Sequence, residues 1–288
     1  MSVAISQSEA PVPLITVHGQ GTVSYGVGPD GVCRLKELYQ GDPVRVMFPT
    51  SPRGEIPTAV FVTTSGGLVG GDVIELTAKA EKNAVVQMTA QAAEKIYRST
   101  GADCRINVRL VAEAGAWLEW LPQETILFDG ARLHRNTRAD VANGGRLLAG
   151  EMLVLGRGAM GETVRSGLVR DDWEIYRDDR LTWADALLLD GDIAALVDHP
   201  AGLGSARAVA TTVFVADDAG DYLETARDLL EGAGDDVRTG ATVVNGLLVV
   251  RFLAIDPYLL RNVFGNFWAG FRHAAADLPA TLPRLWHI

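Results

Sequence analysis

The sequence is poor in the features that bind nucleic acids, stabilise secreted domains or cross membranes. It has 26 Lys and Arg against 36 Asp and Glu, a net charge of −10, and no basic cluster. Affinity for a phosphate backbone comes largely from clustered Lys and Arg, so no nucleic-acid partner is expected. The two cysteines, Cys33 and Cys104, form no CxxC motif, which argues against a disulfide framework and fits a reducing cytoplasm. The apolar stretch 246–255 is short and contains Arg251, too little to span a bilayer.

Motifs for catalysis and tight metal binding are also scarce. The five histidines show no HxxH, HExxH or HxH spacing, and no serine lies in a GxSxG elbow. The glycine-rich loop 66–72 lacks the Gly-Lys-Ser/Thr ending that binds phosphate and magnesium, so nucleotide hydrolysis is not expected. We therefore predict a protein that is not an enzyme and has no resident cofactor.

One motif favours an alternative, an NAD(P)-dependent oxidoreductase. Residues 156–161 match GxGxxG after the apolar stretch 147–155, and Asp178 lies about twenty residues later. The mechanism of this motif requires a helix that begins at the glycines, so that its N-terminus meets the pyrophosphate. The following segment, 162–169, is β-branched and interrupted by Gly167, which disfavours such a helix.

The organisation along the chain is mainly β. Residues 1–13 have neither a basic start nor a long apolar run, so we predict a flexible tail without a signal peptide and a single β-rich domain over 14–288. From Thr22 to about Ala216, short β-type segments are separated by Gly, Pro, Asn and Asp. These segments predict stacked β-sheets or a meander, and no internal repeat is visible.

Three turns are predicted between neighbouring β segments. Residues 81–83 are predicted as a hairpin turn between 77–80 and 84–89, and residues 177–180 as a hairpin turn between 173–176 and 181–189. Asn245-Gly246 suits the positive φ angles of a type I′ hairpin.

Two helices are predicted near the C-terminus. Asp221 with Glu224 three residues later forms a capping pattern, and Asp256 followed by Pro257 forms a stronger one. The second helix carries an apolar stripe formed by Leu260, Val263, Phe264, Phe267, Trp268 and Phe271. Such a stripe usually faces the chain's own core, and a partner surface is the alternative.

Six segments in order resemble the UreD (UreH) urease accessory family. They are 64–72 (TSGGLVGGD), 91–98 (QAAEKIYR), 118–126 (LEWLPQETI), 155–157 with 160–162 (LGR and MGE), 250–253 (VRFL) and 282–286 (LPRLW). The resemblance implies a β-helix-like stack with a few helices. It also implies a complex with the urease apoprotein, a helical accessory protein (UreF) and a GTPase (UreG), in which this subunit carries a water-filled passage for nickel.

A passage should attract the ion without trapping it, and isolated carboxylates hold Ni²⁺ more weakly than imidazole or thiolate. On this resemblance we predict ion-passage roles for Asp72, Glu151, Glu162 and Asp185. For each of them a turn cap or a surface charge is the alternative.

Two further pairs of residues are predicted to bind partners. Tyr97 and Arg98 belong to residue types that are enriched among binding hot spots, although Tyr97 could equally pack in the core. Phe267 and Trp268 lie on the apolar stripe and are the other candidate surface.

Overall fold

The computed structural model describes residues 16–52 and 54–287 and consists mainly of β-strands. In chain order they are β1 (His18–Val27), β2 (Cys33–Gly41), β3 (Val44–Met47), β4 (Thr58–Thr63), β5 (Val73–Ala80), β6 (Val85–Ala90), β7 (Glu94–Ile96), β8 (Cys104–Ala112), β9 (Trp117–Leu121), β10 (Thr125–Leu127), β11 (Arg132–Val141), β12 (Arg146–Leu155), β13 (Ser166–Arg177), β14 (Arg180–Asp192), β15 (Ala208–Val215), β16 (Val237–Val244) and β17 (Leu247–Ala254). The helices are α1 (Ile193–Asp198), α2 (Leu223–Leu230) and α3 (Pro257–Ala276).

These strands form two stacked sheets. The first has the order β14-β13-β11-β8-β5-β1-β2, and the second has the order β16-β17-β15-β12-β9-β6-β4-β3, with β10 and β7 continuing from β12. The prediction of a mainly β fold with stacked sheets is confirmed.

Parallel pairing between successive turns of the chain gives the fold a solenoid character. In the first sheet Val73 pairs with Arg105, and Cys104 pairs with Leu133, offsets of 32 and 29 residues. In the second sheet Trp117 pairs with Val85 on one side and with Arg146 on the other, again 32 and 29 residues away. The fold therefore contains a structural repeat of about 30 residues that the sequence does not show. Each turn needs only apolar residues in the right alternation, because buried faces do not require identical side chains.

Two cores lie on the two faces of the second sheet. The inner core fills the space between the sheets with alternating inward residues such as Val108, Leu133 and Leu147. The outer core lies between the second sheet and the helices, where Phe252 of β17 packs edge-on against Phe264 and Phe267 of α3, at 5.4 and 5.6 Å between ring centroids. The apolar stripe of α3 thus covers the chain's own sheet.

The turn predictions have mixed outcomes. The hairpins at 177–180 and at Asn245-Gly246 are confirmed, with φ of 46° and 60° at Asp178 and Asp179 and of 49° and 81° at Asn245 and Gly246. The turn at 81–83 is not a hairpin, because β5 belongs to the first sheet and β6 to the second. The amide of Asn83 donates to the carbonyl of Ala114 in the next turn of the solenoid. The segment 81–83 is therefore a corner between the two sheets, and a hydrogen bond to the next turn stabilises it.

The helix predictions are confirmed in position and partly in capping. The Asp256 carboxylate accepts from the amide of Tyr258 at 2.8 Å, and Pro257 is the first residue of α3. Asp221 does not cap α2, since it lies inside a 3-10 turn, Ala219–Tyr222, that precedes the helix. The short helix α1 was not predicted.

The predicted tail over residues 1–13 lies outside the described residues, and the single domain over 14–288 stays a prediction. Within 16–52 and 54–287, no helix combines the length and the apolar character needed to cross a membrane.

Gly150 tests the packing of α3 on the second sheet. A Cβ at this position of β12 would lie 2.7 Å from Phe264 and 2.9 Å from Trp268. We expect Gly150→Ala to lower the free energy of unfolding by about 1–3 kcal/mol, because overpacking forces the aromatic rings to move. The measurement is urea denaturation. Gly240→Ala on β16, where the added Cβ meets nothing within 4 Å, should change stability by less than about 0.5 kcal/mol. Equal effects of the two substitutions would contradict this account of the packing.

Candidate functional site

A buried ion cluster joins the two sheets. Arg135 of β11 contacts Asp171 of the adjacent β13 with two hydrogen bonds, both at 2.8 Å. Its Nη1 also donates to Glu151 Oε2 of β12, across the inner core, at 2.6 Å, and to the Thr125 hydroxyl at 3.2 Å. Arg135, Glu151 and Asp171 are 2%, 5% and 8% exposed. The inner core therefore has a charged layer in an otherwise apolar interior.

The electrostatics of this cluster are set by burial and by mutual attraction. Burial opposes the charge on Arg135, but Asp171 and Glu151 together outweigh it and raise the pKa of the guanidinium. Burial raises the pKa of the Glu151 carboxyl, with Arg135 pulling it down and Asp171 adding to the rise. One guanidinium thus faces two carboxylates, and with all three ionised the cluster carries a net charge of −1.

A cavity of about 200 Å³ lies on one side of the cluster. Glu151, Asp171 and Asp185 line it together with Arg251 and Trp173. Asp185 Oδ2 accepts from Arg251 Nη2 at 2.5 Å, and their side chains are 30% and 40% exposed, so this pair marks the solvent side of the cavity. Glu151 and Asp185 were both predicted as ion-passage residues, and the fold places them in one cavity.

A second cavity, of about 160 Å³, lies on the other side. Arg135 and Glu151 line it, as do Thr125, Gln123 and Glu94. Burial raises the pKa of Glu94. The margin of this cavity includes Gly66-Gly67 and 91–95, which belong to two of the six segments in the sequence analysis.

Glu151 is common to both cavities, so the ion cluster lies where the two cavities adjoin. The indole Nε1 of Trp173, which lines the first cavity, is buried and has no acceptor among the described residues. A buried N–H without a partner costs free energy unless a water or another acceptor reaches it.

The other two predicted ion-passage residues lie elsewhere. Asp72 is 3% exposed and accepts from the amides of Val17 and Val69 at 2.9 and 2.8 Å, which holds the turn before β5. Glu162 accepts from Arg157 Nε at 2.8 Å, and this contact lowers the pKa of Glu162. Neither residue lines the two cavities, and their roles in ion passage stay predictions.

Tyr97 and Arg98 contribute to a charged surface at one edge of the solenoid. Tyr97 is half-buried and packs edge-on against Phe128 at 4.7 Å between ring centroids. Arg98 and Arg165 both pair with Asp129, at 3.3 and 3.0 Å, with side chains 69% and 76% exposed. Nearby, Arg157 lies 4.2 Å above the Phe128 ring. The fold thus joins segments 91–98 and 155–162 of the sequence analysis on one surface.

Phe267 and Trp268 lie in the outer core, 1% and 0% exposed, so neither presents a surface to a partner in this conformation. Trp268 Nε1 donates to Glu119 Oε2 at 3.3 Å. Glu119 also pairs with the buried Arg272 of α3 at 2.9 Å. Arg272 lies at the edge of a groove of about 740 Å³ between 47–58 and 279–287.

The dinucleotide alternative lacks its required geometry. Gly158–Met160 form a single 3-10 turn, Gly161 ends it in a left-handed conformation, and β13 follows after a short loop. No helix N-terminus meets the glycines, and the oxidoreductase hypothesis loses its only structural support.

Sequence reasoning missed Arg135, Asp171 and Glu94. A signal for Arg135 does exist, because it occupies an inward position in the alternation of β11, between Leu133 and Thr137. A charged residue in the apolar phase of a strand indicates a buried ion pair. Nothing local identifies Asp171 as its partner, since the contact depends on the register of β11 and β13.

The fold and the cavities define a β-solenoid whose apolar interior contains one charged layer. Across 16–52 and 54–287, no group of three or more His, Cys, Asp or Glu side chains is arranged to hold a metal ion. The chain belongs to the UreD family of urease accessory proteins, because the family model described as "UreD urease accessory protein" matches residues 18–287. This is an accessory family and not a family of enzymes.

Curated relatives agree with the family match. A urease accessory protein UreD from Magnetococcus marinus is 48% identical over 261 residues, covering 90% of both chains. One from Xanthobacter autotrophicus is 46% identical over 256 residues, covering 89% of this chain and 85% of the relative. The urease accessory protein UreD 2 of Methylorubrum populi is 42% identical over 287 residues, covering 98% and 94%. The chain therefore has an accessory role in urease maturation.

The ion cluster can be tested through stability. We expect Asp171→Asn to lower the free energy of unfolding by about 3 kcal/mol, because it removes one charged partner of a buried guanidinium. The measurement is chemical denaturation at neutral pH. Glu224→Gln is the control, since Glu224 pairs with Arg227 on the surface of α2 and the loss should stay below about 1 kcal/mol. Similar losses in the two variants would show that burial does not govern the cluster.

Proposed function

We propose that this chain delivers nickel to urease as a non-catalytic scaffold in the cytoplasm. It binds the urease apoprotein together with a UreF-like helical protein and a UreG-like GTPase, and the ion passes between its two sheets. The observation that carries this proposal is the pair of cavities that meet at Glu151, bordered by carboxylates at Asp185, Asp171 and Glu94.

The ligand chemistry suits transfer. Carboxylates and water bind Ni²⁺ more weakly than imidazole or thiolate, and conduction requires binding that is favourable enough to enter and weak enough to leave. Asp185 lies on the solvent side of the first cavity, Glu151 where the two cavities adjoin and Glu94 in the second cavity. A hydrated ion would meet one carboxylate after another without a closed set of strong ligands.

The surface around Tyr97 and Arg98 is the proposed partner site. It combines exposed guanidinium groups with an aromatic pair. Met160, which belongs to the segment 155–162 joined to this surface, is 74% exposed. Arg and aromatic residues dominate binding energy at protein interfaces, and a charged rim favours rapid association.

The passage is tested at Asp185. We expect Asp185→Asn to lower the nickel content of co-expressed urease about threefold to tenfold, because the solvent side of the first cavity loses its attraction for a divalent ion. Metal analysis of purified urease measures this, and pull-down of the partners should be unchanged. Asp190→Asn is the control, on the same strand but exposed and away from the cavity. Full nickel loading in the Asp185 variant, or normal urease maturation in cells lacking this chain, would contradict the proposal.

The partner site is tested at Arg98. We expect Arg98→Ala to weaken binding of the accessory partners or urease about tenfold, the effect of losing a hot-spot side chain. Quantitative pull-down or surface plasmon resonance measures the affinity. Arg34→Ala is the matched control. Arg34 is also exposed and paired with an aspartate, Asp30, but it lies on β2, away from the proposed surface. Undiminished binding by the Arg98 variant would remove this surface from the proposal.

A further inference from the structure

Arg135 occupies the position at which a cation in the inner core would be most strongly attracted. Its guanidinium lies between Glu151 and Asp171, with N–O distances of 2.6 Å to the former and 2.8 Å to the latter. Each carboxylate also lines the first cavity, and Glu151 and Arg135 line the second. An ion that moved from one cavity to the other by way of Glu151 would therefore meet the guanidinium, which Glu151 contacts.

The geometry points to Arg135 as a tethered cation that competes with the transported ion and limits how tightly the passage binds it; this inference rests on the proposed function. Two carboxylates that share a buried layer would hold a bare divalent ion strongly, because little solvent screens them. The guanidinium neutralises one of their two charges and keeps the position filled. A metal ion gains the carboxylates only while Arg135 is displaced.

Competition of this kind weakens binding in a defined way. When the binding-competent state is populated only fractionally, the apparent affinity falls by that fraction. Arg135 is held by the bidentate pair with Asp171 and by the bonds to Glu151 and Thr125, so the displaced state is rare. The passage thereby favours release over retention, as a route for an ion requires.

The environment of the cluster differs from that of an ordinary structural ion pair. Cavities border it, since Glu151 and Asp171 line the first and Arg135 and Glu151 line the second. A guanidinium whose role is only structural would be expected to be enclosed by packed side chains, because voids beside a buried pair cost stability.

The test measures Ni²⁺ binding by the purified full-length chain in equilibrium dialysis with nickel chloride alone. We expect Arg135→Gln to bind Ni²⁺ about tenfold or more tightly than the unchanged chain, since the competing cation is gone. Arg138→Gln is the control. Arg138 lies on the same strand, but its side chain is 41% exposed and pairs with Asp140, so its loss should leave Ni²⁺ affinity unchanged.

A second variant guards against misfolding of the first. Arg135→Gln combined with Asp171→Asn removes one positive and one negative charge, so the net charge of the cluster is preserved while Glu151 is freed. We expect a smaller tightening of about threefold, because one carboxylate remains. Unchanged Ni²⁺ affinity in both variants would overturn the inference.

Co-expression with urease separates the two proposals. Tighter Ni²⁺ binding together with a lower nickel content of urease supports both, since the ion is then retained in the passage. Tighter binding with fully loaded urease would leave Arg135 as the occupant of a cation position but would overturn the inner core as the route of the ion.

Discussion

The structure depends on one constraint: two sheets that face each other must fill the space between them, and one layer of that space is filled by charge. Sheets pack about 10 Å apart, a distance that interdigitated apolar side chains normally span. Arg135 reaches from β11 to Glu151 on β12 and pairs with Asp171 beside it, so a single guanidinium links both sheets. Removing such charges from water costs free energy, which is offset only where geometry is good and the remaining donors are satisfied.

Parallel stacking explains why this layer is possible at all. Each turn of the solenoid hydrogen-bonds to the turns beside it, so the backbone is satisfied whatever the inward side chains are. A polar layer can replace an apolar one without changing the register. The same independence explains why a repeat of about 30 residues leaves no visible trace in the sequence.

The sequence predicted the elements better than their arrangement. The Asn245-Gly246 turn and the Asp256-Pro257 start of α3 depend on neighbouring residues, and both are confirmed. The prediction of a hairpin at 81–83 is wrong because local sequence does not show which sheet the next strand joins. A turn has similar residues whether the second strand returns in the same sheet or crosses to the other. Long-range pairing decides between these outcomes, as the bond from Asn83 to Ala114 shows. Glu151 and Asp185 are predicted from the resemblance to the family. Their common cavity could not be predicted, because it depends on the packing of β12, β14 and β17.

Two buried glutamates show how similar chemistry leads to different roles. Glu119 accepts hydrogen bonds from Gln87 and Trp268 at one oxygen and from Trp117 and Arg272 at the other. A carboxylate offers about four acceptor positions, so Glu119 is saturated and anchors α3 to the second sheet. Glu151 accepts only one side-chain bond at each oxygen, from Trp120 and from Arg135. Glu151 therefore keeps acceptor capacity that Glu119 has used, and it lines both cavities. Acceptor capacity, more than burial, therefore distinguishes the carboxylate that the proposed passage would use from the one that stabilises the fold.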